Sequence, residues 1–361
     1  MFGFHVNREW AGGGRPALAA QVAAARVFAD QRLPGVPFAF QVFVAGPRQA
    51  KFTVDQAEAR GLKEYLAAEN AQGRPIWGVA HGTYVDVPWN GGARANPGFH
   101  KWIPKWIRKE HLRAAEAGLA GLVIHLGKSD ADHVVSILPR LMPSPAEAEG
   151  VDDHPRWRGF PKVEGSCRLA AEGEGEGANV GTPACLAGAC RIYLEVPHVL
   201  PANSHYETPA KLCALFAKIR KKVDPPLAYY GLCVDTAHIW SCGADISSYE
   251  KAAAWLESLD ACRETVPPAA LMFHLNDARD PLGSGLDEHE PLFQGAIWHD
   301  FREAPEASGL AAFIDYARQH GIPTVLERKA KKADARGPAL SAREAIGADL
   351  DALGRLLRGY N

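Results

Sequence analysis

No apolar run in the 361-residue chain reaches the ~18 residues of a membrane-spanning helix, so a span is excluded. No cysteine precedes Cys167, and the seven present make an odd count. Both facts argue against a secreted disulfide framework and for a reducing interior. The amino-terminal MFGFHVNREW lacks a charged head followed by an apolar core, so no secretory signal is expected. The protein is accordingly read as intracellular, in cytoplasm or nucleus. Neither sign of charge dominates: 40 Lys and Arg face 42 Asp and Glu, for a net charge of −2. That argues against a protein coating nucleic acid through bulk charge, but leaves room for a local basic face. Hydrophobic and charged contents of 47% and 23% exclude a wholly disordered chain. The 35 Gly and 26 Pro follow no collagen-like period, and no solenoid repeat is found.

Eight short apolar runs recur instead, at 2–6, 38–45, 76–81, 121–125, 192–195, 232–235, 271–275 and 324–327. Their Val, Ile, Phe and Leu content and their length predict buried strands. Between them lie Ala, Leu, Glu and Arg-rich stretches with helical spacing at 16–30, 54–70, 107–117, 209–221, 249–265 and 310–320. Strands alternating with helices imply a parallel sheet, and eight such units predict a single closed (β/α)8 TIM barrel spanning 1–361. Most strand ends follow one another at about 40 residues, as from Glu195 to Asp235. The 70 residues from His125 to Glu195 are the exception. The excess at 142–189 is rich in Gly, Glu and Pro and reads as a surface loop inserted between strands four and five, partly disordered. Within it Cys185 and, just beyond, Cys190 are read as ordinary thiols. A final helix is expected over 341–361.

In such a barrel the carboxyl ends of the strands converge on one mouth. Here those ends carry chemistry. Strand three ends at His81, strand four at His125, strand five at Glu195 and strand six at Asp235, with His238 three residues on. Strand seven carries His274, the loop after it Asp287 and His289, and strand eight ends at Glu327. A lone strand histidine is more often packed or solvated than a ligand. Five imidazoles and four carboxylates around one rim are another matter, because four carboxylates repel one another unless cations sit between them. Mixed His and Asp/Glu donors without cysteine suit Zn²⁺, with Mn²⁺ or Fe²⁺ possible at one position. Nine donors suffice for three ions if some carboxylates bridge.

The stretches VAHGTYV (79–85), VIHLGK (123–128), CVDTAHIWSCG (233–243), FHLNDA (273–278), GSGLDEHEPL (283–292) and VLER (325–328) together resemble the endonuclease IV family of apurinic/apyrimidinic endonucleases. These are zinc-dependent, xylose-isomerase-like TIM barrels. The resemblance implies three zinc ions per chain. One would be held by His81, His125 and Glu195; a second by Glu195, Asp235, His274 and Glu327; the third by His238, Asp287 and His289. It implies double-stranded DNA carrying abasic sites as substrate, with the abasic nucleotide flipped into the mouth. The phosphodiester 5′ to the lesion would be hydrolysed to a 3′-hydroxyl and a 5′-deoxyribose phosphate, with Glu195 or Glu327 as the catalytic group that orients the attacking water. It implies DNA contacts from Tyr84 and Val85, from Arg48 and from Arg279. Ordinary loop packing is the alternative for Tyr84 and Val85, and a solvated loop position for Arg48. No membrane contact and a monomeric state are expected.

The chain departs from the family after Glu195, where it reads VPHV, so that His198 and His205 acquire no role. Arg279 stands where the family commonly has lysine; arginine also pairs with phosphate. Basic clusters at Lys101, Lys105, Arg108 and Lys109 (interleaved with Trp102 and Trp106), at 218–222 and at 328–332 could meet a polyanion. The second ends a helix, where cations favour the dipole in any case. A metal-dependent sugar isomerase or epimerase on the same barrel is the competing function, but it has no use for nine donors or for a protruding Tyr-Val loop.

Overall fold

The computed structural model describes residues 1–7, 10–11, 16–47, 51–84, 99–127, 129–141, 190–223, 229–328 and 339–358. Eight parallel strands close into a barrel: β1 (Phe2–His5), β2 (Phe38–Phe43), β3 (Ile76–His81), β4 (Gly121–His125), β5 (Arg191–Glu195), β6 (Tyr230–Asp235), β7 (Leu271–His274) and β8 (Thr324–Leu326). Each pairs with its neighbours in sequence, and β1 closes the ring on β8 through Phe2–Thr324 and Phe4–Leu326. The helices are α1 (Leu18–Asp30), α2 (Gln56–Ala71), α3 (Phe99–Glu116), α4 (Ala131–Ile137), α5 (Pro209–Lys222), α6 (Thr236–Ser241), α7 (Tyr249–Asp260), α8 (Gly309–His320) and α9 (Ala342–Arg358). No helix among the described residues is long and apolar enough to cross a membrane.

The strands carry two apolar faces, as expected when both sides of a parallel sheet are covered. The outer face packs on the helices in one large cluster. A separate cluster of Ala39, Trp77, Val79, Val123, Tyr193, Cys233, Met272 and Val325 fills the barrel. Close packing there depends on size alternation. The Tyr193 ring lies where a Cβ at Gly121 or Gly231 would approach within 2.6 or 2.5 Å, so neither glycine could carry a side chain without displacing it.

Side chains alternate across a strand with period two. Two residues beyond this inner cluster, the same face therefore carries Gln41, His81, His125, Glu195, Asp235, His274 and Glu327. An apolar plug and a ring of polar groups above it are thus written in one register.

Several helix boundaries differ from the pattern-based expectation. Helix α3 begins eight residues earlier than the apolar spacing suggests and contains Pro104. The segment after β4 is helical as α4, capped by the Asp130 side chain on the His133 amide. Strand β6 runs directly into α6, a one-and-a-half-turn helix without room for a period to show. The expected surface loop at 142–189 lies outside the described residues. Cys213 of α5 is disulfide-bonded to Cys262, just past α7, a bridge that the expectation of a reducing interior does not anticipate. The two helices are adjacent on the barrel's outside, and sequence spacing gives no hint of that. Cys190, Cys233 and Cys242 are free and buried.

Candidate metal centre

The β5 and β6 ends set the centre of the mouth. Glu195 is fully buried. Its Oε2 lies 3.2 Å from His81 Nε2 and 2.9 Å from His125 Nε2, and its Oε1 lies 2.8 Å from His274 Nδ1. Asp235 divides its oxygens. Oδ1 caps α6 by accepting from the Ala237 amide at 2.7 Å, while Oδ2 stands 3.7 Å from His274 Nδ1 and 3.7 Å from His289 Nε2. The cap places His238 one turn on, with Nε2 3.2 Å from Asp287 Oδ1. Glu327 Oε2 is 3.4 Å from His274 Nδ1.

The loop bearing Asp287 and His289 is held as a hairpin by the pairing of Ala278 with His289 and Asp277 with Glu290. Asp277 fixes its far side by accepting from the amides of Ala278, Gly295 and Ile297. Gly283 and Gly285 donate to the carbonyls of Trp240 and Ser241, tying the hairpin tip to α6. Gly285 has φ +70°, and a Cβ there would lie 2.7 Å from the Leu200 amide nitrogen, so glycine is required. Asp287 Oδ1 then reaches His289 Nε2 at 2.9 Å.

All nine groups singled out from the strand ends are therefore brought together. Donor atoms of eight of them fall into the sets His81–His125–Glu195, Glu195–Asp235–His274–Glu327 and Asp235–His238–His289, each within 4.8 Å; the ninth, Asp287, meets that limit with His238 and His198. Zinc–ligand bonds of ~2.0–2.2 Å put donors sharing one ion roughly 3–4 Å apart. The observed carboxylate–imidazole separations of 2.8 to 4.0 Å match that spacing.

The outward ring nitrogens are also fixed. His81 Nδ1 faces the Gly82 carbonyl at 2.7 Å, His238 Nδ1 the Val196 carbonyl at 2.7 Å, and His274 Nε2 the Gln41 Oε1 at 2.9 Å. An N–H donated outward leaves the opposite nitrogen bare toward the mouth, as metal-ligating imidazoles require. Cys233 is also within ligand distance of Glu195 and His274. Burial pushes its thiol well up, which keeps it protonated and a poor ligand.

The electrostatics ask for cations. Burial pulls the imidazoles down, yet carboxylates more than reverse it: His81 is raised through Glu195, and His238 and His289 through Asp235 and Asp287. Burial likewise raises carboxyls, but His125 and His274 hold Glu195 far down, His238 and His289 do the same for Asp287, and Glu327 falls to about 2 beside His274. In the bare chain protons bind these carboxylates together. Divalent ions on the same donors would release them.

Three flanking residues carry no role in the sequence reading or a different one. Gln41 bridges His274 to Glu327, donating from Nε2 to Oε1 at 2.5 Å. It is the one polar residue in the run FAFQVF, on the same face as Ala39, and that lapse in an apolar strand is the available signal. Asn276 donates to Asp235 Oδ2 at 2.6 Å and accepts from the Glu327 amide at 3.0 Å and Arg328 Nη1 at 2.6 Å. Arg328 is buried and paired with Asp349 of α9. The basic cluster that it opens is expected to meet a polyanion; the structure turns Arg328 inward instead, because Asp349 supplies its counter-charge inside the protein.

Of the expected DNA contacts, Arg48 and Val85 lie outside the described residues, as do 329–332 of the basic tail cluster. Tyr84 stands at the rim, 40% exposed, its ring 5.2 Å from His81 and 5.5 Å from His125. Arg279 is exposed on the hairpin that carries Asp287. Lys218 and Lys222 pair with Asp132 of α4, and Trp106 is buried with its ring 5.0 Å from that of Phe52.

Barrel and mouth define a class, the xylose isomerase-like TIM barrel, whose family model matches residues 203–314. Over 360 residues the chain is 33% identical to the "Probable AP endonuclease" of African swine fever virus (isolate Tick/South Africa/Pretoriuskop Pr4/1996), covering 99% of this chain and all of that protein. A second relative, "Probable endonuclease 4" of Natronomonas pharaonis, matches at 34% over 112 residues, 31% of this chain and 35% of that one. The chain belongs to the AP endonuclease family. The solved structure described as "The crystal structure of AsfvAP:AG" superposes with a TM-score of 0.75 at 31% identity over 99% of both chains. Endonuclease IV from Thermus thermophilus superposes at 0.62 with 20% identity over 99% of both chains, which shows the shared fold.

Proposed function

We propose that the protein is a zinc-dependent AP endonuclease that cleaves double-stranded DNA on the 5′ side of abasic sites, leaving a 3′-hydroxyl and a 5′-deoxyribose phosphate. The observation that carries this is the mouth itself: nine His, Asp and Glu side chains whose donor atoms stand at ion-sharing distances. The full-length similarity to a viral AP endonuclease selects phosphodiester cleavage over the sugar chemistry that similar barrels host.

In this reading His81, His125 and Glu195 hold one ion; Glu195, Asp235, His274 and Glu327 a second; and His238, Asp287 and His289 the third. When bound, such ions lower the pKa of water toward ~7 and neutralise charge on attacking and leaving oxygens. Glu195 would serve two of these positions, since each of its oxygens faces different imidazoles. Glu327 reaches into the mouth from β8 and is the carboxylate least enclosed by histidines, which suits it to orient the attacking water. Gln41 and Asn276 hold it from either side, through Oε1 and its backbone amide. In the same reading Tyr84, 40% exposed at the rim above His81 and His125, presses into the lesion's base stack, and the exposed Arg279 meets phosphate.

The test is nicking of a duplex carrying one abasic site. The zinc-loaded chain is expected to nick it, and prolonged chelation to abolish the activity. Glu327→Gln is expected to lose nicking by several orders of magnitude while retaining duplex binding. Intact substrate after incubation with the zinc-loaded wild type would refute the assignment.

A further inference from the structure

His198, in the loop after β5, belongs to none of the three donor sets. Its Nδ1 is buried, lacks a hydrogen-bond partner, and lies 3.8 Å from Asp287 Oδ2. Its ring centroid is 5.0 Å from that of His238 and 6.0 Å from that of His125. Donor atoms of His198, His238 and Asp287 all fall within 4.8 Å of one another. The His198–Asp287 separation lies in the 2.8–4.0 Å range that the donors of the mouth keep throughout.

The position is built rather than incidental. The Val196 carbonyl accepts from His238 Nδ1 at 2.7 Å, and the Pro197 carbonyl accepts from Cys242 Sγ at 3.0 Å. Both bonds lock the residues just before His198 onto α6. On the other side Leu200 packs on Gly285 of the hairpin that carries Asp287. His198, its side chain 36% exposed, thus stands between the two elements that supply His238 and Asp287. An imidazole nitrogen buried without a partner is costly unless something absent from the bare chain satisfies it.

We propose that His198 is a fourth protein donor to the cation held by His238, Asp287 and His289. That ion would then have three imidazoles and a carboxylate as its protein donors, while the other two positions would share Glu195. The inference rests on the three-ion reading of the mouth.

The experiment loads the full chain with Zn²⁺ alone, counts ions per chain, and follows their release to a chromophoric chelator. Wild type is expected to hold three. His198→Ala and His198→Phe are each expected to release one equivalent ~10–100-fold more readily than wild type, at least the range that an orienting neighbour of a ligand commands. The other two should leave at wild-type rates, and unchanged thermal unfolding of the metal-free variants checks that they fold. Three ions leaving both variants at the wild-type rate would overturn the proposal. So would wild-type retention in His198→Phe, since phenylalanine restores ring packing on His238 without a donor. A wild type that holds fewer than three ions fails differently: it removes the three-ion reading itself, whatever the variants do.

Discussion

Gln41 offers the sharpest test of how the mouth is held. Its side chain is fully buried and spans two groups of the second donor set, accepting from His274 Nε2 at 2.9 Å and donating to Glu327 Oε1 at 2.5 Å. Gln41→Leu keeps the volume and the strand but removes both bonds, and with them the contact of Nε2 with His5 Nδ1 at 3.3 Å. His274 then has no fixed tautomer, so its Nδ1 is no longer held bare toward Glu195, Asp235 and Glu327. Loss of such an orienting partner typically weakens a metal site 10–100-fold, or ~1.4–2.8 kcal/mol. Three polar groups, His274, Glu327 and His5, also lose a partner, at ~1–3 kcal/mol each where buried. Leucine recovers part of that by burying apolar surface where an amide had been. A net loss of ~2–4 kcal/mol in folding is expected, well inside the stability of an ordinary domain. The assay is competition for Zn²⁺ against a chelator of known affinity, beside urea unfolding of the metal-free chain. One ion should weaken by the stated factor and the others by much less. Unchanged affinity at every position, in a variant destabilised as stated, would show that the histidine's orientation comes from the strand and not from Gln41.

Other consequences are equally direct. Burial pushes the Asp277 carboxyl up to about 7, against the pull of three backbone N–H donors. A folded pKa above the unfolded one means a contribution present in full below pH ~4 and lost as pH rises through about 7. The stability of wild type relative to Asp277→Asn should therefore fall across that window, by at most ~1.4 kcal/mol per pH unit, and a pH-independent difference would contradict the assignment. The Cys213–Cys262 bridge spans 49 residues, for which loop-closure entropy gives ~4 kcal/mol. Reductant should lower the urea midpoint of wild type to that of Cys213→Ser and leave the variant unmoved; equal midpoints in wild type with and without reductant would show that the bridge contributes nothing. Tyr84→Ala should weaken binding to an abasic duplex more than to an intact one, measured by titration at fixed salt, because its ring is proposed to occupy the gap in the stack rather than a phosphate.

The parts legible in the sequence are those on which periodicity and chemistry agree. Eight apolar runs announce eight strands, and polar residues at their carboxyl ends announce the mouth, because a period of two carries each strand from the inner cluster straight to the ring of donors. Arg328 shows where that logic stops. It follows a strand end, is basic, and lies among basic residues, so on local evidence it faces the substrate. What turns it inward is Asp349, 21 residues away on α9, whose position depends on how the last helix closes over the barrel. The Cys213–Cys262 pair is hidden for the same reason, since two helices can be neighbours on a barrel without any spacing that says so.

His198 and Gln41 mark the opposite case, in which the signal is present and lacks an interpretation. One polar residue in an apolar strand, and one histidine where a relative's pattern breaks, are each uninformative alone. Both acquire meaning only when the barrel's curvature supplies the second coordinate, bringing Gln41 on β2 within reach of Glu327 beyond β8 and His198 beyond β5 within reach of Asp287 beyond β7. Donor identity is therefore local information, fixed strand by strand. Donor orientation is global, because the groups that aim each imidazole come from other strands of the ring. Substitutions at the nine donors should accordingly remove ions outright, whereas substitutions at Gln41 or Asn276 should leave the ions bound and loosened, a difference that metal counting at saturating and at limiting Zn²⁺ would separate.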